Sequence, residues 1–168
     1  MYGHTMIKHL SDANVFLAGG QMETNDGFES HHLLLSFDFN SETWKTDYAQ
    51  MTKGRVRPGL TMTYEEDFII VAGGQTPDGN GYENSVEKYS FWDEVWEPCE
   101  PLPSGMEYAF VTPVDDKMVA VSNVANAVYQ YDEGADEWTL KAGIVSQPVV
   151  YDASIVSVAE VYTLCGKG

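Results

Sequence analysis

Apolar residues along this chain gather in short runs of four or five, closed by glycine or by polar turn residues, and no stretch shows the 3.6-residue period of an amphipathic helix. Phe68-Ile69-Ile70-Val71-Ala72 is the clearest run, β-branched and aromatic, with Glu65-Glu66-Asp67 before it and Gly73-Gly74 after it. Such a run suits a central strand covered on both faces. Around it lie three further strand candidates: an inner one from Leu60 to Tyr64, an aromatic one from Val86 to Tyr89, and one from Val95 to Glu97 that carries Trp96. The predicted class is all-β, assembled from units of four short strands.

The units recur. An aromatic residue stands seven positions before a tryptophan three times, at Phe37 and Trp44, Tyr89 and Trp96, and Tyr131 and Trp138. Upstream of the first two pairs, the apolar runs Val15-Phe16-Leu17-Ala18 and Phe68 to Ala72 end in Gly19-Gly20 and Gly73-Gly74. Met118-Val119-Ala120-Val121-Ser122-Asn123 fills the same slot in a third unit without the glycines, and Val161-Tyr162-Thr163-Leu164-Cys165-Gly166 fills it in a fourth. Equivalent positions divide the single repeat region 1–168 into units 1–56, 57–105 and 106–148 and a half unit 149–168. The glycine pairs would let the chain leave the second strand with positive φ and let a neighbouring unit approach closely.

An apolar run, a glycine pair, a Tyr or Phe, a Trp seven residues later and an arginine in the next linker, here Arg57, together resemble kelch repeats. The resemblance covers nearly the whole chain and is strongest in the second unit. It implies a kelch-type β-propeller of four-stranded antiparallel blades, incomplete here at about 3.5 blades, since propellers close with 4 to 8. An open half-ring would leave blade edges and faces exposed, so something is expected to complete it: a longer propeller of which this is part, a second copy forming a homodimer, or another chain.

Charge narrows the partners. With 26 Asp and Glu against 9 Lys and Arg the formal charge is −17, which argues against nucleic acid and anionic membranes as partners. The start, Met1-Tyr2-Gly3-His4, has no basic and apolar leader, and no Asn-x-Ser/Thr acceptor occurs, which points to the cytoplasm; a secreted location follows only if the chain is a fragment. Cys99 and Cys165, 66 positions apart, fit neither a disulfide framework nor a metal-ligand spacing and read as small buried hydrophobes.

Candidate partner-binding residues lie in two long segments after the second strands, 21–30 and 75–84, which the resemblance places on one face of the propeller together with the linkers. Rigid strands carrying long loops make a recognition surface. Met22, Phe28 and Tyr82 stand there as apolar tips among Glu23, Asn25, Asp26, Asp78, Asn80 and Glu83. In the linker, Arg57 takes the slot where the resemblance implies an arginine packed between blades, leaving Arg55 to meet a ligand carboxylate. The opposite face, by the same assignment, collects thirteen of the 26 acids in short turns, against Lys117 alone.

Catalytic chemistry is sparse. His31 and His32 are adjacent on a predicted strand and so point to opposite faces, and His4 and His9 have no companion ligand pattern. There is no Gly-x-Ser-x-Gly, Cys-x-x-Cys or phosphate-cradling glycine loop. No cofactor, no metal and no enzymatic activity are expected. The reading is a protein-interaction module that binds a peptide or protein through its second-strand loops; the resemblance adds the role of ubiquitin-ligase substrate adaptor found among kelch proteins. Two alternatives stand beside it: a propeller enzyme or carbohydrate-binding domain with an acidic, calcium-assisted loop site at Asp78, Asn80 and Glu83, and a structural piece closed by another chain.

Overall fold

The computed structural model describes residues 2–9, 11–25, 27–63, 65–106, 109–114, 117–122, 127–132, 135–143, 154–158 and 161–165. It is built of strands. The first sheet holds β1 (Tyr2–Lys8), β2 (Asn14–Thr24), β4 (Leu34–Asp38) and β5 (Thr43–Lys45) in that order, with β3 (Gly27–Ser30) paired to the far end of β2. A second sheet runs β6 (Gly59–Met62), β7 (Phe68–Ala72), β8 (Val86–Ser90) and β9 (Val95–Cys99). The third follows with β10 (Phe110–Val114), β11 (Lys117–Ser122), β12 (Ala127–Asp132) and β13 (Glu137–Gly143), and β14 (Ser154–Val158) pairs with β15 (Val161–Cys165) in a fourth. Every pairing is antiparallel, and the inner strands β1, β6, β10 and β14 touch one another in turn. The result is a run of three four-stranded blades and the inner half of a fourth, an incomplete propeller.

The repeated spacing of seven has a direct structural cause. Phe37, Tyr89 and Tyr131 lie opposite Trp44, Trp96 and Trp138 across the third and fourth strands of their blades. Their rings meet at 5.1, 5.4 and 5.1 Å. The reversal between them repeats too: Glu42, Glu94 and Asp136, each two residues before its tryptophan, take φ of 54°, 57° and 51°. A left-handed residue there turns the chain into the partner strand, and each blade uses an acidic side chain where glycine would be easiest.

β7 shows how one strand serves two interfaces. Ile69 and Val71 point into a core shared with Phe16, Ala18 and Leu34 of the first blade, while Ile70 and Ala72 enter a second core with Val111 and Ala120 of the third. Alternate residues of a strand face opposite sides, and burying each large aliphatic one is worth about 1.5–3 kcal/mol. The blades are therefore held by apolar seams, and each seam is closed at its outer rim by an indole. Trp96 Nε1 donates to Ala49 O at 2.8 Å and Trp138 Nε1 to Glu100 O at 3.0 Å, so each tryptophan reaches back to the linker of the blade before it.

Candidate functional site

The glycine pairs fix the start of the candidate surface. Gly19 and Gly20 have φ of 69° and 93°, Gly73 and Gly74 of 62° and 100°. A β-carbon on Gly19 would lie 2.5 Å from Arg55 O, and one on Gly73 would lie 2.7 Å from Met106 O. The linkers thus cross directly over the ends of the second strands, where Gly20 N donates to Arg55 O and Gly74 N to Met106 O at 2.8 and 2.7 Å. Second-strand excursions and linkers do share one face.

The first excursion is a β-hairpin rather than a loop. β2 continues through Gln21 to Thr24, and β3 pairs back on it with Thr24 opposite Gly27, Glu23 opposite Phe28 and Met22 opposite Glu29. Phe28 and Glu23 consequently share one face of the ribbon and Met22 lies on the other, with Phe28 57% and Met22 44% exposed. Asn25 sits exposed at the tip, and Asp26 lies outside the described residues. The signal was present in the sequence: Asn25-Asp26-Gly27 between two short alternating segments is a hairpin turn.

The second excursion is irregular but pinned. Gln75 bridges to both Val56 and Tyr82, which anchors its base on the linker. Asp78 organises the tip: Thr76 Oγ1 and Asn80 N donate to Oδ1 at 2.5 and 3.1 Å, and Asn80 Nδ2 donates to Oδ2 at 3.1 Å. The Thr76 hydroxyl and then the Asn80 amides hold the Asp78 carboxyl below its usual range. Glu83 turns away from this group. It accepts from Lys53 Nζ at 2.9 Å and Ser85 Oγ at 3.1 Å, so the structure does not bring Asp78, Asn80 and Glu83 together as one ion site. Among the described residues no group of three or more His, Cys, Asp or Glu side chains is placed to hold a metal ion. Burial pushes the Glu83 carboxyl up, but the hydrogen bonds from Lys53 and Ser85 and the charges of Lys53 and Arg55 outweigh it, leaving a net downward shift. Tyr82, 45% exposed, stands over the second linker, where a β-carbon on Gly105 would lie 2.3 Å from Tyr82 O.

Arg55 takes the structural role expected of Arg57. Arg55 is fully buried, and its guanidinium donates to Gly73 O at 3.0 Å, Ser85 O at 2.7 Å, Ser85 Oγ at 3.0 Å and Glu87 Oε1 at 2.5 Å. Glu87, 2% exposed, uses its other oxygen to accept from Thr52 N at 2.8 Å. Arg55 is therefore a structural tie between the first linker and the second blade and is not available to a ligand carboxylate. Arg57 instead takes φ of 53° and is half-buried, its amide bonded to Gly3 O. Two residues of spacing decide between them.

No protein-family model matches the chain. Among curated proteins, Kelch repeat and BTB domain-containing protein 12 of Homo sapiens is 27% identical over 116 residues, 60% of this chain and 18% of its own. Kelch repeat and BTB domain-containing protein 2 of Homo sapiens is 26% identical over 142 residues, 76% of this chain and 22% of its own. The repeats of this chain are similar to the kelch repeats of these proteins. Kelch-like protein terF of Aspergillus terreus is 29% identical over 113 residues, 60% of this chain and 25% of its own. The chain thus spans about a fifth to a quarter of the length of these curated kelch relatives. The solved structure of YjhT shares the fold with a TM-score of 0.72 at 14% identity, over 91% of this chain and 56% of that one. Among the described residues no helix is long and apolar enough to cross a membrane.

Proposed function

We propose that these kelch blades form a non-enzymatic interaction module whose partner, a peptide or protein segment, lies across the β2–β3 hairpin and the 75–84 segment. The observation that carries this reading is the exposure of Phe28 and Tyr82 on two excursions whose bases are anchored to rigid linkers. Large side chains held in place lose little entropy on binding, which is why such residues dominate interface energetics. Polar neighbours Glu23, Asn25, Asp78 and Asn80 supply a rim, and the BTB domain in the names of two relatives fits an adaptor that recruits a bound protein. Peptides selected from a displayed random library test the reading: Phe28→Ala and Tyr82→Ala should each weaken them by about tenfold or more. Selected peptides that bind both variants at full strength would overturn it.

A second reading, a structural piece closed by other blades, is favoured by the outer face of the first sheet. Trp44 is 54% and Met6 61% exposed there, although their counterparts by register in the second blade, Trp96 and Leu60, are packed in the seam with the first blade. A single-peak mass by light scattering would show whether further chains assemble on this face.

A further inference from the structure

The two apolar seams are not filled alike. Between the first and second blades, Phe16 lies 6.1 Å from Tyr48 and 5.5 Å from Phe91, and Tyr48 lies 5.6 Å from Tyr89. Register identifies the counterparts one blade on. Phe16 pairs with Ser36 as Ile70 pairs with Lys88, and Tyr48 precedes the carbonyl that caps Trp96 as Cys99 precedes the carbonyl that caps Trp138. Two rings of the first seam are thus replaced by Ile70 and Cys99 in the second. Ile70 and Cys99 line a cleft of about 660 Å³ between the second and third blades, bounded also by Phe68, Val86, Met118 and Trp138. Interiors are close-packed, and a volume of about 300–1,000 Å³ is that of ligand sites.

The carboxylates of the cleft are Glu65 and Asp67 from the β6–β7 turn and Asp136 from the β12–β13 turn, one oxygen of which accepts from the Tyr131 hydroxyl. Two cations also line it: Lys88, occupied by Glu97 at 3.3 Å and by the Phe68 ring at 5.0 Å, and Lys117, so three carboxylates face two amines, one of which is already paired. Burial first of all raises the Cys99 thiol to about 11, so the floor is neutral. We propose that this cleft receives a short basic peptide segment, its apolar side chains against Ile70, Met118 and Trp138 and its cationic ones on Glu65, Asp67 and Asp136. The charge of the chain, −17, complements such an occupant and repels an acidic one.

The probe is an acetylated, amidated tetrapeptide of two arginines flanking leucine and phenylalanine, titrated at low salt while the Trp138 indole N–H is followed by NMR. The basic peptide is expected to move that signal and to bind about tenfold or more tighter than the peptide with glutamates in place of the arginines. Ile70→Phe with Cys99→Tyr, which narrows the cleft with the rings of the first seam, should weaken the peptide by about threefold or more. Should that variant not fold, Glu65→Gln with Asp67→Asn should reduce the preference for the basic peptide to about threefold or less. An unmoved Trp138 signal, equal binding of the two peptides, or undiminished binding to the variant with the narrowed cleft would overturn the proposal. Because the probe reports at Trp138, Phe28→Ala and Tyr82→Ala leave it unchanged, and failure here is distinct from failure of the hairpin surface.

Discussion

Arg55 and Glu87 bear on stability out of proportion to their number. Both are buried, and a buried charge whose partner is removed costs about 3–5 kcal/mol. Arg55→Ala should therefore lower the urea midpoint by the equivalent of that range; a loss under about 1 kcal/mol would mean that water replaces the guanidinium. The left-handed positions make the opposite prediction. Glu94, at φ 57°, holds a conformation that a β-carbon disfavours by about 1–2 kcal/mol, so Glu94→Gly should be neutral or stabilising, while Glu94→Val should destabilise. Cys99 adds a dependence on pH. Its thiol ionises at about 11 in the fold, mainly because it is buried, and from an ordinary 9.0 when unfolded. Stability from this group is constant below pH 9 and falls between 9 and 11, as the unfolded chain releases the proton first. Thermal melts of the protein and of Cys99→Ala should diverge in that window, and iodoacetamide should label the folded protein slowly at pH 8.

At the scale of elements, the strands were legible and the excursions were less so. The run Phe68 to Ala72 became β7 with unchanged bounds because a continuous β-branched segment can bury only as a two-faced strand. The spacing of seven was legible as a repeat, and cross-strand pairing explains it. The 21–30 segment looked like a loop because its residues are polar, yet alternation around Asn25-Asp26-Gly27 continues the β2 ladder beyond the sheet. Arg55 could not be separated from Arg57 without knowing which carbonyl lies under Gly20, a contact between residues 35 positions apart. The 75–84 segment also has a pH signature. The lowered Glu83 carboxyl contributes stability above about 4.5 that is lost as pH falls through its folded value, when the Lys53 tie weakens. Protection factors of the amides at Gln75 and Tyr82, taken relative to the intrinsic exchange rate at each pH, should fall in acid, and Lys53→Met should remove most of that change.

Across the whole molecule, each blade is an apolar sheet on both sides and depends on its neighbours, the behaviour of a repeat protein with additive nearest-neighbour terms. Substitution in the first seam, such as Phe16→Ala, should cost about 3–5 kcal/mol and loosen the first two blades while the third remains protected from exchange. The indole caps add a direction to this architecture. Trp96 reaches Ala49 and Trp138 reaches Glu100, each bonding to chain that precedes it by a whole blade. On a ribosome, the carbonyl that a tryptophan needs has always been translated before the tryptophan emerges. A new blade can therefore be fastened to a finished one as soon as its fourth strand leaves the exit tunnel, and assembly proceeds from the first blade onward without waiting for the last.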